Sequence, residues 1–217
     1  MKFFALLLLF FLPLFANNYP SFPTQELREI EMTSGTIAKN RSLDYQKIIN
    51  NLRSKSESEQ VLLLNTYLNQ LISLSDSETK NIKDYWSTPK EFLIKGRGDC
   101  EDYAIIKYYS MIKLGFDRDK LYLTMVKELL HGRNHMVLSY FPNPHHQPLI
   151  LDNLSFKVLP LNKRTDLKAR YFINDNGVFA YNNAYLIPVN AKSKKFIHLI
   201  KQVEQEELHT QVLHACN

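Results

Sequence analysis

Residues 96 to 115 read GRGDCEDYAIIKYYSMIKLG, and the fold prediction starts from them. After the two glycines and Asp99, apolar residues recur at helical spacing until Gly115 stops the pattern: Ala104, Ile105, Tyr108, Tyr109, Met111 and Ile112. The pattern predicts a helix with Cys100 at its N-terminus. The positive end of a helix dipole lowers the pKa of a thiol, so this position favours a nucleophilic thiolate.

The segments on either side of this helix differ in character. Upstream, after a polar leader at residues 17–23, apolar residues at helical spacing predict two helices, within residues 43–52 and 61–72. Downstream, short apolar runs between polar breaks predict antiparallel strands, at Leu121 to Val126, Met136 to Phe141, Leu149 to Leu151 and Phe156 to Leu159. A last helix is predicted within residues 194–213. Helices followed by a meander of strands are typical of an α+β fold.

Composition limits the classes of function. The chain has 217 residues, 45% of them hydrophobic, which is enough to bury one sizeable core. The net charge is +5, but the basic residues are scattered and do not alternate with aromatic residues. A nucleic-acid partner is therefore not expected.

The N-terminal residues predict export. Lys2 precedes an apolar run from Phe3 to Phe15 that ends at the small residue Ala16. A run of about 13 residues is shorter than the roughly 20 that span a bilayer as a helix. We therefore predict a signal peptide at residues 1–16 and an exported protein with no stable membrane span after processing; an uncleaved anchor is the alternative. Residues 17–83 then form an N-terminal helical part and residues 84–217 a catalytic core, together one domain.

The chain has two cysteines, Cys100 and Cys216. In an exported protein such a pair is compatible with one disulfide. Their contexts differ, because Cys216 is the penultimate residue, where a bridge orders little, whereas Cys100 begins the predicted helix. The free-thiol interpretation is therefore favoured for Cys100.

A catalytic thiol needs a base, and His135 is the preferred candidate among seven histidines. It stands at the start of a predicted strand in which Met136, Leu138 and Tyr140 alternate, and a strand end holds a side chain more rigidly than a loop does. The other histidines lie in predicted loops or in or after the last helix: His131, His145, His146, His198, His209 and His214.

The base in turn needs a group that orients its imidazole. Asp152 follows the run 149–151, and the proline-bearing connection 142–148 places this run beside the strand of His135. The residues therefore predict a catalytic triad of Cys100, His135 and Asp152. Taken singly, His135 is equally compatible with an ordinary core or surface histidine, and Asp152 with a turn aspartate.

Four motifs carry a resemblance to a known family. They are WSTPKEFLIKGRGDCED at 86–102, HMVLSY at 135–140, LILDN at 149–153 and RTDL at 164–167. Together they resemble the bacterial transglutaminase-like cysteine proteases of the LapG type, over about residues 84–179. The resemblance implies a papain-like, transglutaminase-like fold and the same triad.

The resemblance also implies a function. Proteases of this type are periplasmic endopeptidases that cut a large surface adhesin near its N-terminal retention module, at a small-residue site, and so control attachment and biofilm formation. An inner-membrane receptor that responds to a cyclic dinucleotide sequesters and inhibits the protease. Two alternatives stay open: a transferase or amidase on the same scaffold, and a non-catalytic periplasmic binding module.

Three acids surround the cysteine, namely Asp99, Glu101 and Asp102. Their charge would raise the pKa of the thiol unless a partner neutralised it. From the residues alone, the acids cap the helix, pair with Arg97 or bind a hard cation such as Ca²⁺. The resemblance favours calcium, with these three side chains as ligands and backbone carbonyls from the turn at residues 117–121.

Trp86 is the single tryptophan of the chain. It resembles a tryptophan that the family keeps close to the active site, and it is equally compatible with a core residue.

Overall fold

The structure is a computed structural model that describes residues 18–73, 85–143, 146–182 and 185–215. The predicted signal peptide and Cys216 lie outside these residues, as does His145. No helix in these ranges is long and apolar enough to cross a membrane.

Helices occupy both ends of the chain and strands the middle. The helices are α1 (Thr24–Ser34), α2 (Thr36–Leu52), α3 (Glu57–Leu68), α4 (Pro89–Lys95), α5 (Cys100–Leu114) and α6 (Lys194–Ala215). The strands are β1 (Ile72–Ser73), β2 (Arg97–Gly98), β3 (Leu121–Glu128), β4 (Arg133–Tyr140), β5 (Leu149–Asp152), β6 (Ser155–Pro160), β7 (Leu167–Asn174), β8 (Gly177–Asn182) and β9 (Tyr185–Val189). The predicted α+β class is confirmed.

Within the described ranges, seven strands form one sheet in the order β6-β5-β4-β3-β7-β8-β9, and every neighbouring pair is antiparallel. Strands β4 and β5 pair with Leu138 opposite Leu151, which confirms the predicted hairpin-like neighbours. This register brings the start of β4, with His135, and the end of β5, with Asp152, to the same end of the sheet. The short strands β1 and β2 pair in parallel, and β2 lies directly before α5.

Helix α5 lies at the centre of the fold. It packs on β3, β4 and β5 on one side and on α2, α3 and α4 on the other. Every residue from Asp102 to Lys113 is buried, so the helix is enclosed along most of its length. It ends at Gly115, whose φ of 99° is the left-handed conformation that glycine adopts without strain.

Strand β4 differs from the predicted alternation. His135 to Tyr140 are all buried, because a second apolar cluster covers the face of the sheet opposite α5. The members of this cluster include Tyr122, Val126, Val137, Phe141, Ile150 and Phe172. A strand covered on both faces loses the polar-apolar period of a half-exposed strand.

Other differences have local causes. Helix α3 ends at Leu68, and Ile72 belongs to β1 instead of the predicted helix. Helix α1 was not predicted, because only Leu27 and Ile30 of its residues are buried and its apolar period is short. Strands β7 to β9 were not predicted either, since β8 is only partly buried and β9 is mostly exposed.

The polar leader is part of the core. Tyr19 and Phe22 are buried, and the ammonium of Lys113 on α5 donates to the carbonyls of Asn18, at 2.9 Å, and Pro20. The Tyr19 hydroxyl donates to Glu206 on α6. The segment before α1 is therefore tied to two helices distant in sequence.

Candidate active site

The first turn of α5 carries the thiol. Asp99 is the N-cap residue, and its carboxylate accepts from the backbone N–H of Asp102 at 3.3 Å. Cys100, the first residue of the helix, is a half-buried free thiol. A side chain at Gly98 would collide with Asp102 and with Phe92, because a Cβ there would lie 2.9 Å from the Phe92 ring. Glycine therefore allows the chain to enter α5 closely packed against Asp102.

The surroundings of the Cys100 thiol favour its protonated form. Its Sγ donates to Oε2 of Glu101 at 2.9 Å. Burial, followed by the charge of Glu101 and this hydrogen bond, raises the pKa of the thiol, while the backbone N–H of Met136 acts in the opposite direction. Desolvation and the adjacent carboxylate thus oppose the effect of the helix terminus on the pKa of the thiol, and the thiolate stays a prediction.

His135 and Asp152 form a buried pair. Nε2 of His135 lies 2.8 Å from Oδ1 of Asp152, and the two residues are 9% and 0% exposed. Burial acts to raise the pKa of Asp152, but hydrogen bonds and charge from His135, with the N–H of Leu154 and the side chain of Arg164, hold it well below its usual range. An ionised Asp152 accepts a hydrogen bond from Nε2–H, and an imidazole that carries its single proton on Nε2 has Nδ1 as its unprotonated nitrogen.

The structure brings the helix terminus and this pair to one place. Helix α5 packs on β4, and the N–H that acts on the Cys100 thiol belongs to Met136, the residue after His135. The sulfur therefore lies against the strand that carries the histidine. His131 lies in the β3–β4 turn, and His198 and His209 lie in α6.

Arg164 is a residue at this site to which the sequence analysis assigned no role. Its Nη2 donates to Oδ2 of Asp152 at 2.7 Å. Its Nε and Nη2 also contact the two carboxylate oxygens of Asp166 at 2.9 and 2.7 Å. The RTDL motif contains both residues, but a loop between two strands gives no periodicity from which such a contact is predicted.

Two further residues support Asp152 from the helical side. Asn69 donates to the backbone oxygen of Asp152 at 2.7 Å, and Lys107 of α5 donates to the Asn69 side chain at 2.7 Å. Lys107 is fully buried, and burial lowers its pKa to about 7 although the charge of Asp152 opposes this. Lys107 occurs in the apolar period of α5, so the sequence suggested only a helix position.

The predicted calcium ligands have separate partners in this structure. Asp99 caps α5, Glu101 accepts from the thiol, and Asp102 accepts from the N–H of Ser87 at 2.8 Å. Burial raises the pKa of Asp102 to about 6. In the part of the chain that the structure describes, no three acidic, histidine or cysteine side chains form a group suited to hold a metal.

The chemistry of the donor set nevertheless suits calcium. Three carboxylates at consecutive or nearby positions offer the hard oxygens that Ca²⁺ prefers, and a buried carboxylate with a raised pKa lacks a full counter-charge. The turn at residues 117–121 does not belong to this site. It follows the C-terminus of α5, about 20 Å from Cys100 for 15 residues at 1.5 Å each, so its carbonyls do not reach the carboxylates.

Trp86 is a buried core residue beside the helix terminus. It precedes Ser87, whose N–H binds Asp102, and the ammonium of Lys195 lies 5.6 Å from the centre of its indole. Among the described residues, its Nε1 has no hydrogen-bond partner. Trp86 is therefore a core residue, which was one of its two interpretations, and a role in the reaction stays a prediction.

A buried helix that begins with a cysteine and packs on an antiparallel sheet with a histidine–aspartate pair defines the transglutaminase-like class of cysteine peptidases. The family model for bacterial transglutaminase-like cysteine proteinase BTLCP matches residues 39–173. The chain belongs to this family, and the predicted resemblance is confirmed.

Solved structures agree with this assignment. Legionella pneumophila LapG in its calcium-bound form is 32% identical, with a TM-score of 0.70 over 81% of this chain and 98% of that one. The EGTA-treated form is 33% identical, with a TM-score of 0.70 over 82% of this chain and 97% of that one. No curated protein sequence matches this chain.

Proposed function

We propose that this chain is a calcium-dependent periplasmic cysteine endopeptidase in which Cys100 is the nucleophile, His135 the base and Asp152 the residue that orients the base. The observation that carries the proposal is the 2.8 Å contact between Nε2 of His135 and buried Asp152, on the strand against which the Cys100 thiol lies. This contact leaves Nδ1 of His135 available to the thiol.

The reaction is acyl transfer. Nδ1 of His135 takes the proton from Sγ, and the thiolate attacks the scissile carbonyl carbon. The backbone N–H of Cys100 at the helix terminus is the first donor to the oxyanion. The imidazolium then gives its proton to the leaving amine, and the same nitrogen activates the water that hydrolyses the thioester and restores the thiol.

Calcium, when bound, would neutralise the carboxylates of Asp99, Glu101 and Asp102. Burial raises the pKa of Cys100, and the charge of Glu101, which accepts a hydrogen bond from the thiol, raises it further. The Cys100 proton goes to His135 more readily when the charge of Glu101 is compensated. Similarity to a protein solved in calcium-bound and EGTA-treated forms supports this part of the proposal.

The proposed substrate is the N-terminal region of a large surface adhesin, and cleavage would release the adhesin and so control attachment and biofilm formation. An inner-membrane receptor that responds to a cyclic dinucleotide would act as the inhibitor. Export by the predicted signal peptide would bring the protease into the periplasm with both partners. Family membership supports these assignments.

Cleavage of a purified N-terminal adhesin fragment from the same organism tests the proposal. With calcium, the mature protein is expected to give one discrete cut, located by mass spectrometry of the new termini. EGTA and Cys100→Ala should each abolish it, with excess calcium restoring cleavage after EGTA only. A cut that persists in Cys100→Ala, or an intact fragment with the calcium-loaded protein, would contradict the proposal.

A further inference from the structure

The Asp152 carboxylate is held at both oxygens. Oδ1 accepts from Nε2 of His135 at 2.8 Å and from the backbone N–H of Leu154 at 3.0 Å. Oδ2 accepts from Nη2 of Arg164 at 2.7 Å. A carboxylate bound at one oxygen alone can rotate about its last side-chain bond, whereas contacts at both oxygens fix the plane of the group.

Arg164 is itself fixed. Its side chain is only 7% exposed, and Asp166 contacts it through two carboxylate oxygens, the geometry in which a guanidinium is most directional. Its backbone N–H donates to Leu161 and its carbonyl accepts from Leu167, so the loop between β6 and β7 is also ordered by main-chain bonds. The guanidinium is therefore a rigid support.

The support continues to the hairpin beside His135. The backbone oxygen of Asp166 accepts from the N–H of Leu129, in the turn that joins β3 and β4. His135 lies in β4 directly opposite Val126, near the end of the same hairpin. One loop thus holds both the carboxylate and the strand pair that carries the imidazole.

From these contacts we infer that Arg164 is a positioning residue for the proposed reaction. It holds Asp152 so that Oδ1 faces Nε2 of His135, which selects the tautomer with the proton on Nε2 and leaves Nδ1 to accept the thiol proton. Asp166 holds Arg164 in this orientation. The inference rests on the proposed function, because the tautomer matters only if His135 acts as a base.

The surroundings of Asp152 determine how pH should act. The titratable or charged groups that face it are His135 on β4, Lys107 on α5, and Arg164 and Asp166 in the loop before β7. Arg164 is among the groups that lower the pKa of Asp152 against the effect of burial. Without Arg164 the carboxylate should bind a proton at higher pH and then stop accepting from Nε2.

The test compares Arg164→Met, Arg164→Lys and Asp166→Asn in the mature, calcium-loaded protein. Arg164→Met is expected to lower kcat on the order of 10- to 100-fold with KM little changed, and to move the acidic limb of the kcat profile to higher pH. Arg164→Lys keeps the positive charge but loses the forked guanidinium. It should therefore leave the acidic limb of the kcat profile in place and recover part of kcat. Asp166→Asn should show a smaller loss.

Nitrogen-15 NMR of the His135 ring provides a readout that does not depend on cleavage. The wild type should show neutral His135 protonated at Nε2, and Arg164→Met should show a mixture of tautomers. Arg118→Met is the matched control. Arg118 follows the C-terminus of α5, where it pairs with Asp175, so its replacement should change neither measurement.

Unchanged tautomer, kcat and pH profile in Arg164→Met would overturn the inference. If Arg164→Met does not fold, the same comparison in Arg164→Lys and Asp166→Asn decides, since unchanged kcat in both would equally overturn it. A wild-type protein that never cleaves but whose His135 tautomer depends on Arg164 would refute the proposed function and leave the orientation of the imidazole by Arg164 established.

Discussion

At the N-terminus of α5, the surroundings raise the pKa values of two neighbouring side chains. The thiol of Cys100 is half-buried and the carboxylate of Asp102 is buried, and burial raises the pKa of each. The sequence places three acids beside the cysteine, and their negative charge predicts a partner that compensates it. The contacts of those acids were not predictable, because their partners include Ser87, which reaches Asp102 across 15 positions of the chain.

The ionised form of Asp102 should destabilise the calcium-free fold. Its pKa rises from an ordinary 3.8 to about 6 on folding, so the unfolded chain releases this proton first and stability falls as pH rises through this window. Asp102→Asn keeps an acceptor for the Ser87 N–H and removes the charge. Without calcium at pH 7 it should raise the free energy of unfolding on the order of 2 kcal/mol.

Urea unfolding at pH 7 and pH 4, with and without calcium, measures this effect. The increase in the free energy of unfolding that Asp102→Asn causes should vanish near pH 4. Calcium should stabilise the wild type but not Asp102→Asn. Asp44→Asn, at an exposed position, is the control and should change neither curve. Equal stability of Asp102→Asn and the wild type at pH 7 without calcium would show that the buried charge is already compensated.

Among the elements, β2 and α5 meet at a closely packed junction. Gly98 has ordinary φ, so its requirement is spatial: an added Cβ would lie 2.8 Å from the Cβ of Asp102 and 2.9 Å from the Phe92 ring. The sequence analysis assigned Gly98 no role beyond its place before the predicted helix. Its actual role depends on α4 and α5 packing together, which periodicity does not show.

Gly98→Ala is therefore expected to displace Asp102 and the first turn of α5. The free energy of unfolding should fall by about 1–3 kcal/mol, and cleavage should fall with it because Cys100 lies in that turn. Gly132→Ala is the comparison, since its φ of 65° is strained but its Cβ meets open space. It should reduce stability and spare cleavage; a Gly98→Ala protein with wild-type cleavage and stability would refute the close-packing argument.

Over the whole molecule, the leader before α1 connects regions far apart in sequence. Phe22 is buried under the ammonium of Lys90, which lies 5.3 Å from the centre of its ring, and its backbone N–H donates to Gln46. Tyr19 and Lys113 add ties to α6 and α5. The polar composition of residues 17–23 gave no sign of this burial, because two aromatic residues in seven form no period.

Phe22→Ala should lower the free energy of unfolding by about 3–5 kcal/mol, the usual cost of removing a buried aromatic ring. Phe156 is 56% exposed on the edge strand β6, so Phe156→Ala is the matched control and should cost less than about 1 kcal/mol. Urea denaturation of the two variants makes the comparison. Similar losses in the free energy of unfolding of the two variants would mean that the leader contributes no more to stability than a surface residue does.

The sequence by itself determined the helix that begins at Cys100 and stops at Gly115, the strands of His135 and Asp152 and their adjacency, because each depends on local period, turn chemistry and short connections. Tertiary structure alone decided the contact of Arg164 with Asp152, the hydrogen bond from the Cys100 thiol to Glu101, the burial of the leader and the strands beyond β6. These depend on which distant surfaces meet and on how far each group is removed from water, and neither is encoded in the spacing of residues along the chain.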